Sequence, residues 1–229
     1  MPMMTRLFLR RVLLPAIALC SLMVPLNAAH AALVNYSFTG SIDGMSTMIV
    51  PVTGSFQFNS DTAGNSGAYN GAVTGFSLHF GGFNYTSSLA PGANAVTISQ
   101  NIPMGGGSGN RWALASAVSG PNFMNSGYSP FNFDLRLDSK GGALFTSTDL
   151  EGPPSFSSLN GVYSLSGLTA ARWRLFFEDS EGNPAVFLGS ITSLTAVPLP
   201  AAVLLFGAGL VSLVGLGAGG LRNLRSSQA

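Results

Sequence analysis

Val34-Asn35-Tyr36-Ser37-Phe38-Thr39 decides the fold class. Apolar and polar side chains alternate, so Val34, Tyr36 and Phe38 share one face of an extended strand and Asn35, Ser37 and Thr39 share the other. The same period of two continues downstream. Met48 to Phe58 is the next strand candidate, interrupted by Pro51 and Gly54, which predicts an edge position or a bend. Gly54 to Asp61 alternates and runs into a turn-rich segment, 61–70. Phe76, Leu78 and Phe80 point one way, then Gly81-Gly82 precedes Phe83 to Thr86, a hairpin signal if the glycines supply positive φ. Further strands are expected at 95–100, 112–118, 131–137, 143–148, 171–178 and 185–194, with hairpin loops at 138–142 and 179–184. No interior segment carries a sustained 3.6-residue apolar stripe, so helix is scarce. Short strands separated by turn signals predict an all-β domain, an antiparallel, jelly-roll-like sandwich of two sheets.

Composition limits the function. Only 8% of the 229 residues are charged, against about 25% in ordinary soluble domains, and mean hydropathy is +0.37. All nine acids lie between Asp43 and Glu181, whereas Arg6, Arg10, Arg11, Arg222 and Arg225 lie outside that span. Between them stand only Arg111, Arg136, Lys140, Arg172 and Arg174, leaving a net charge of −4 that gives no reason to expect nucleic acid.

The two ends carry membrane signals. Three arginines, an uncharged apolar run from Val12 to Leu26 and Ala29-His30-Ala31 have the three parts of a secretory signal peptide, with Ala29 and Ala31 at the cleavage site and residues 1–31 removed. Pro15 and Pro25 disfavour a continuous spanning helix there. Cys20, the sole cysteine, follows the bulky Leu19 and belongs to the apolar run, so the mature chain has no disulfide or thiolate chemistry. At the other end, Val197-Pro198-Leu199-Pro200 is followed by the uncharged apolar stretch 201–221 and the basic tail 222–229. As a helix, 201–221 spans about 31 Å, the thickness of a bilayer core. Arg222 and Arg225 then stop transfer on the cytoplasmic side, placing the domain 32–196 across the membrane, in agreement with export.

The C-terminal 33 residues, 197–229, resemble the PEP-CTERM sorting signal of Gram-negative bacteria in its Val-Pro-Leu-Pro-Ala variant, here Val197, Pro198, Leu199, Pro200 and Ala201. Leu199 stands where the commonest form has an acid. The resemblance implies recognition by an exosortase, a membrane transpeptidase with a cysteine nucleophile, in species that make exopolysaccharide. It implies a protein anchored with its domain in the periplasm before processing, then placed at the cell surface or in the extracellular matrix. The opening strands are also similar to β-rich domains found on sorted proteins of this kind.

The interior offers little catalytic chemistry. His79 is the only histidine left after signal removal, and it lies on the polar face of Phe76-Ser77-Leu78-His79-Phe80. No Gly-x-Ser-x-Gly elbow accompanies it, and metal binding through several His or Cys is excluded by count. Asp134 and Asp138 share a strand face but stand about 13 Å apart, beyond the 5–9.5 Å of a glycosidase pair. Gly105-Gly106-Gly107-Ser108-Gly109 reads as a flexible loop without the Lys-Ser/Thr ending of a phosphate cradle. Glu178, Asp179 and Glu181 miss the spacing of a calcium loop and read as a solvated hairpin tip. Trp112, Trp173, Tyr36, Tyr69, Tyr85, Tyr128 and Tyr163 are either core or platforms for sugar rings. The expectation is therefore a non-enzymatic envelope protein without a cofactor. The alternatives are a surface module binding polysaccharide or calcium at 104–111 or 178–184, and, less favoured, an extracellular hydrolase.

Overall fold

A computed structural model describes residues 33–44 and 50–198. The chain there is all-β: β1 (Leu33–Ile42), β2 (Pro51–Asn59), β3 (Ala68–Asn70), β4 (Val73–Phe80), β5 (Tyr85–Leu89), β6 (Ala95–Met104), β7 (Gly107–Ser119), β8 (Ser129–Lys140), β9 (Phe156–Leu159), β10 (Val162–Tyr163), β11 (Ala170–Glu178) and β12 (Pro184–Val197). A single 3₁₀ turn, Phe123–Asn125, stands between β7 and β8. Among the described residues no helix is long and apolar enough to cross a membrane. The expected signal peptide with Ala29 and Ala31, the apolar helix 201–221, and Leu199, Pro200, Ala201, Arg222 and Arg225 lie outside the described residues.

The expected two-sheet sandwich is corrected to a barrel. Strands β1, β2, β4, β5, β7, β8, β11 and β12 hydrogen-bond in that order, all antiparallel, and β12 returns to pair with β1. The closing ladder runs from Asn35↔Val197 to Ile42↔Gly189, with a bulge between Thr39 and Gly40. Closure removes the free edges that a sandwich leaves on each sheet. The wall is thinnest between β5 and β7, where only Ser88↔Ser119 and Leu89↔Val118 pair. There β6 takes over the flank of β7 and carries β3 on its other side, so a short second layer leaves the ring. The β9–β10 hairpin attaches to β12 through Ser193↔Ser157 and Leu194↔Phe156.

The period-two pattern fills the lumen. Phe38, Phe56, Phe58, Leu78, Phe80, Trp112, Leu114, Phe133, Leu135, Leu137, Trp173 and Phe177 are all below 2% exposed. Their rings stack or tilt in an unbroken series, for example Phe38 on Phe133 at 6.1 Å and Phe56 on Trp112 at 5.8 Å between centroids. Such contacts add about 0.5–1.5 kcal/mol per pair beyond area burial. Phe123 from the 3₁₀ turn closes one end, packing against Phe80, Phe83, Tyr85, Phe177 and Phe187.

Gly54 neither bends the chain nor marks an edge. It lies inside β2, paired with Phe38 on β1 and Leu78 on β4. A Cβ built at Gly54 would stand 2.6 Å from Phe38 Cε1 and 2.8 Å from the Ser77 carbonyl oxygen. The missing side chain is the slot into which the Phe38 ring lies. Pro51 fits as the first residue of its strand, where its nitrogen owes the ladder nothing.

The Gly81-Gly82 hairpin is present, but its positive φ falls elsewhere. The connection covers 81–84, the Phe83 amide donates to the Phe80 carbonyl (3.1 Å), and Asn84 takes φ +47°. Gly105-Gly106 is a tight turn, not a floppy loop, and Gly107 to Gly109 already belong to β7. The segment 143–148, expected as a strand, is a coil laid over β6 and β7. Side chains satisfy its carbonyls in place of a ladder. Asn110 Nδ2 donates to Leu144 and Phe145 (3.0 and 3.1 Å), Tyr69 Oη to Thr148 (2.6 Å), and Gln100 Nε2 to Thr146. Beyond it Trp112 Nε1 reaches Glu151 (3.1 Å) and Tyr36 Oη reaches Pro153 (2.9 Å).

Candidate functional site

Of the sorting motif, Val197 and Pro198 are described. Val197 is the last residue of β12, paired with Asn35 and 45% exposed, and Pro198 follows outside the ladder, exposed. The final strand therefore ends with Val197 and Pro198 both exposed.

The aromatic candidates divide by position. Trp112 and Trp173 are fully buried and Tyr36 and Tyr85 nearly so, while Tyr69, Tyr128 and Tyr163 pack against the core from its margin. None of the four buried rings presents a face to solvent. Burial pushes the phenols of Tyr36 and Tyr85 up to about 12, because the phenolate would lose its hydration. The Ser87 hydroxyl beside Tyr85 pulls weakly the other way.

His79 sits on the outer face of β4, opposite Thr53 on β2 and Thr86 on β5. It lines a shallow cleft of about 680 Å³ with Ser55, Ser77, Ser88 and Ser119. Ser55 and Ser77 hydrogen-bond to each other at 2.8 Å, and no carboxylate lines the cleft. A general base there would lack the acidic orienter that a hydrolytic triad uses.

At the β11–β12 tip, Asp179 is engaged by its own turn. Its carboxylate accepts from the Asn183 amide side chain (2.9 Å) and from the backbone of Glu181 and Asn183 (2.9 and 2.8 Å). These bonds, the Asn183 side chain first, hold it below the usual carboxylate range. Among the described residues no group of three or more His, Cys, Asp or Glu is placed to hold a metal ion.

The outer wall of β7, β8 and β11 is different. Arg111, Arg136, Lys140, Arg172 and Arg174, every lysine and arginine between 33 and 198, lie on it, with Asp134 and Asp138 among them and Glu178 at the far end of β11 as counter-charges. Register explains the convergence, because it aligns three rows across the strands. In the first, Arg111 opposes Asp138 and forks onto it, Nε to Oδ1 at 2.6 Å and Nη2 to Oδ2 at 3.0 Å. In the third, Arg174 opposes Asp134 and binds it through Nε (2.8 and 2.9 Å) and Nη2. Each carboxylate raises its arginine above the ordinary guanidinium range.

The middle row has no carboxylate. Ala113, Arg136 and Arg172 stand side by side, so two guanidinium side chains oppose each other across β8 and β11. Like charges directly opposite destabilise a sheet. Partial burial, then the charge of Arg174, pushes Arg136 down from its usual value, although it stays a cation at neutral pH. Among the described residues neither Arg136 nor Arg172 has an ion pair.

Two further features border the rows. At one end a concavity of about 520 Å³ is lined by Arg111, Asp138, Lys140 and Arg172 together with Met104 and Gly105. Lys140 Nζ is steered into it by the Gly105 carbonyl at 3.1 Å. At the other end Phe131, 40% exposed, and half-buried Phe176 form an outward aromatic pair, centroids 6.2 Å apart, with Arg174 lying 5.1 Å over the Phe176 ring. Sequence reading found Asp134 and Asp138 on one face but missed this surface, since nothing local says that β7, β8 and β11 are neighbours. The parity of Asp134, Arg136, Asp138 and Lys140, and of Arg172 and Arg174, was the available signal. Neither a family model, nor a curated protein, nor a solved structure matches this chain.

Proposed function

We propose that this is an exported, non-enzymatic protein of a Gram-negative cell envelope, held in the inner membrane by 201–221 and sorted by an exosortase at Val197-Pro198-Leu199-Pro200-Ala201. The observation that carries this reading is the fixed order of a double-proline motif, an apolar stretch of membrane-spanning length and a basic tail, directly after the end of the last barrel strand. An exposed Pro198 beyond the ladder suits it, because a protease needs backbone that is not committed to a sheet. A lumen filled by aromatic side chains suits a structural or interaction role, in which the outer wall meets partners.

The test is replacement of Pro198 and Pro200 by Ala in native cells. Export and signal cleavage after Ala31 should persist while C-terminal processing stops, read as the intact mass of the mature protein. Unchanged processing would count against the sorting reading.

A further inference from the structure

We propose that the outer wall of β7, β8 and β11 binds a carboxylate-bearing polysaccharide chain, with Arg136 and Arg172 as its charge-reading residues and Phe131 and Phe176 as its sugar-ring platform. This goes beyond the sorting reading and does not depend on it, since every residue involved lies between 104 and 176.

The wall supplies its own template. In the rows on either side of Arg136 and Arg172, a carboxylate sits in a guanidinium fork, and the middle row repeats the cations without the anion. Rows two residues apart lie about 6.7 Å from one another along a strand, so a carboxylate entering the middle row meets two guanidinium groups and a lysine-lined concavity within reach. The planar guanidinium fork favours carboxylate geometry, as the two flanking pairs show. The small side chain of Ala113 leaves the approach beside Arg136 open.

The aromatic pair identifies a ring-bearing partner rather than a simple anion. Phe176 lies four residues from Arg172 on the same strand face, about 13 Å away, so a linear chain that places acid groups on the arginines reaches it. Sugar C–H faces pack on such rings without displacing Arg174, which already covers one side of Phe176. A lipid surface fits less well, because the cations lie along a strand wall and in a concavity rather than at protruding loop tips. Charge segregation adds specificity. Of the other seven acids only Glu178 shares this face, two residues beyond Phe176 at the end of β11. Asp43, Asp61, Asp149, Glu151, Asp179 and Glu181 lie off β7, β8 and β11, so among the described residues the lysine and arginine charge is gathered on one wall.

The experiment uses the full chain in nonionic detergent, with polygalacturonate as the probe and dextran as its neutral counterpart. Retardation in affinity electrophoresis and a rise in Tm are expected with polygalacturonate alone, both fading as salt rises from about 0.05 M to about 0.5 M. Replacing Arg136 and Arg172 together by Gln should weaken binding at least about tenfold and remove the Tm rise, while Ser55→Ala on the opposite wall leaves both unchanged. Arg136→Gln removes a partly buried cation that Arg174 and Arg111 oppose and Asp134 and Asp138 attract, so its own Tm without ligand should stay close to that of the parent. Should the double variant fail to fold, Arg136→Gln alone must show the weakening. Phe176→Ala should reduce affinity yet keep the salt dependence. Equal retardation by dextran, no retardation by either, unchanged binding by the arginine variants, or capture by phosphatidylglycerol vesicles or an oligonucleotide with polygalacturonate inert would each overturn the proposal. None of these outcomes bears on C-terminal processing, so the two readings fail separately.

Discussion

Gly54→Ala should destabilise the barrel even though alanine is the better strand residue. Removing the excess backbone freedom of glycine ordinarily stabilises by about 0.5–1 kcal/mol. Here the new methyl group would stand 2.6 Å from Phe38 Cε1, far inside van der Waals contact, and Phe38 is 1% exposed and stacked on Phe133. Overpacking of this kind costs about 1–3 kcal/mol, so the net loss should be roughly 0.5–2 kcal/mol after the backbone gain is subtracted. The decisive measurement is a double-mutant cycle with Phe38→Ala, which alone should cost about 3–5 kcal/mol. In that background the slot is empty, and the ring's share of the penalty at residue 54 vanishes. Only the 2.8 Å approach to the Ser77 carbonyl oxygen then remains, so Gly54→Ala should cost clearly less than in the parent, giving a coupling of about 1 kcal/mol or more. Urea unfolding followed by circular dichroism supplies the four free energies by linear extrapolation. If the Phe38→Ala parent is too unstable, Phe38→Leu replaces it. Two substitutions that add within about 0.5 kcal/mol would refute the slot.

Three other outcomes follow from the same structure. Asn110→Ala should cost roughly 1–3 kcal/mol, because it strips the Leu144 and Phe145 carbonyls and the Asn101 amide of their partner, and limited proteolysis should then cut within 141–155 first. Alkaline stability should fall between pH 10 and about 12: the unfolded tyrosines ionise near 10 while folded Tyr36 and Tyr85 keep their protons to about 12, so their contribution is complete below pH 10 and lost as pH rises through the folded value. The loss is at most about 2–3 kcal/mol per tyrosine, and a urea midpoint that stays flat across this range would refute it. Deletion of 201–225 should release the domain into the periplasm or medium, and continued membrane retention of that truncation would defeat the anchor.

Much of the barrel was legible because its signal is local. The alternation through Tyr36 and Phe38, Phe76 to Phe80 and Phe133 to Leu137 is set by the pleat, and these strands appear where the pattern places them. Ring closure was not legible. A sandwich and a barrel share period two and differ only in whether the outer strands meet, and the Asn35↔Val197 pairing joins residues at opposite ends of the domain. Gly54 misled for a related reason, since its cause is a ring from the neighbouring strand. The coil at 143–148 has strand-like composition, but Asn110, Gln100 and Tyr69 meet its carbonyls from a distance. β3, β9 and β10 were missed because two to four residues are too few to show a period. The basic wall failed on both counts: its parity was visible, its strand adjacency was not.

The pairing of the first strand with the last has a mechanical meaning. If the chain is tethered through its C-terminus, tension enters at Val197 and runs along the axis of β12, whose ladders to β1 and β11 lie across that line. Hydrogen bonds loaded sideways share the force and must give way together, whereas a terminal strand peeled from an open edge would surrender them one at a time. A domain hung from a surface in flowing liquid is thus gripped by its most resistant direction.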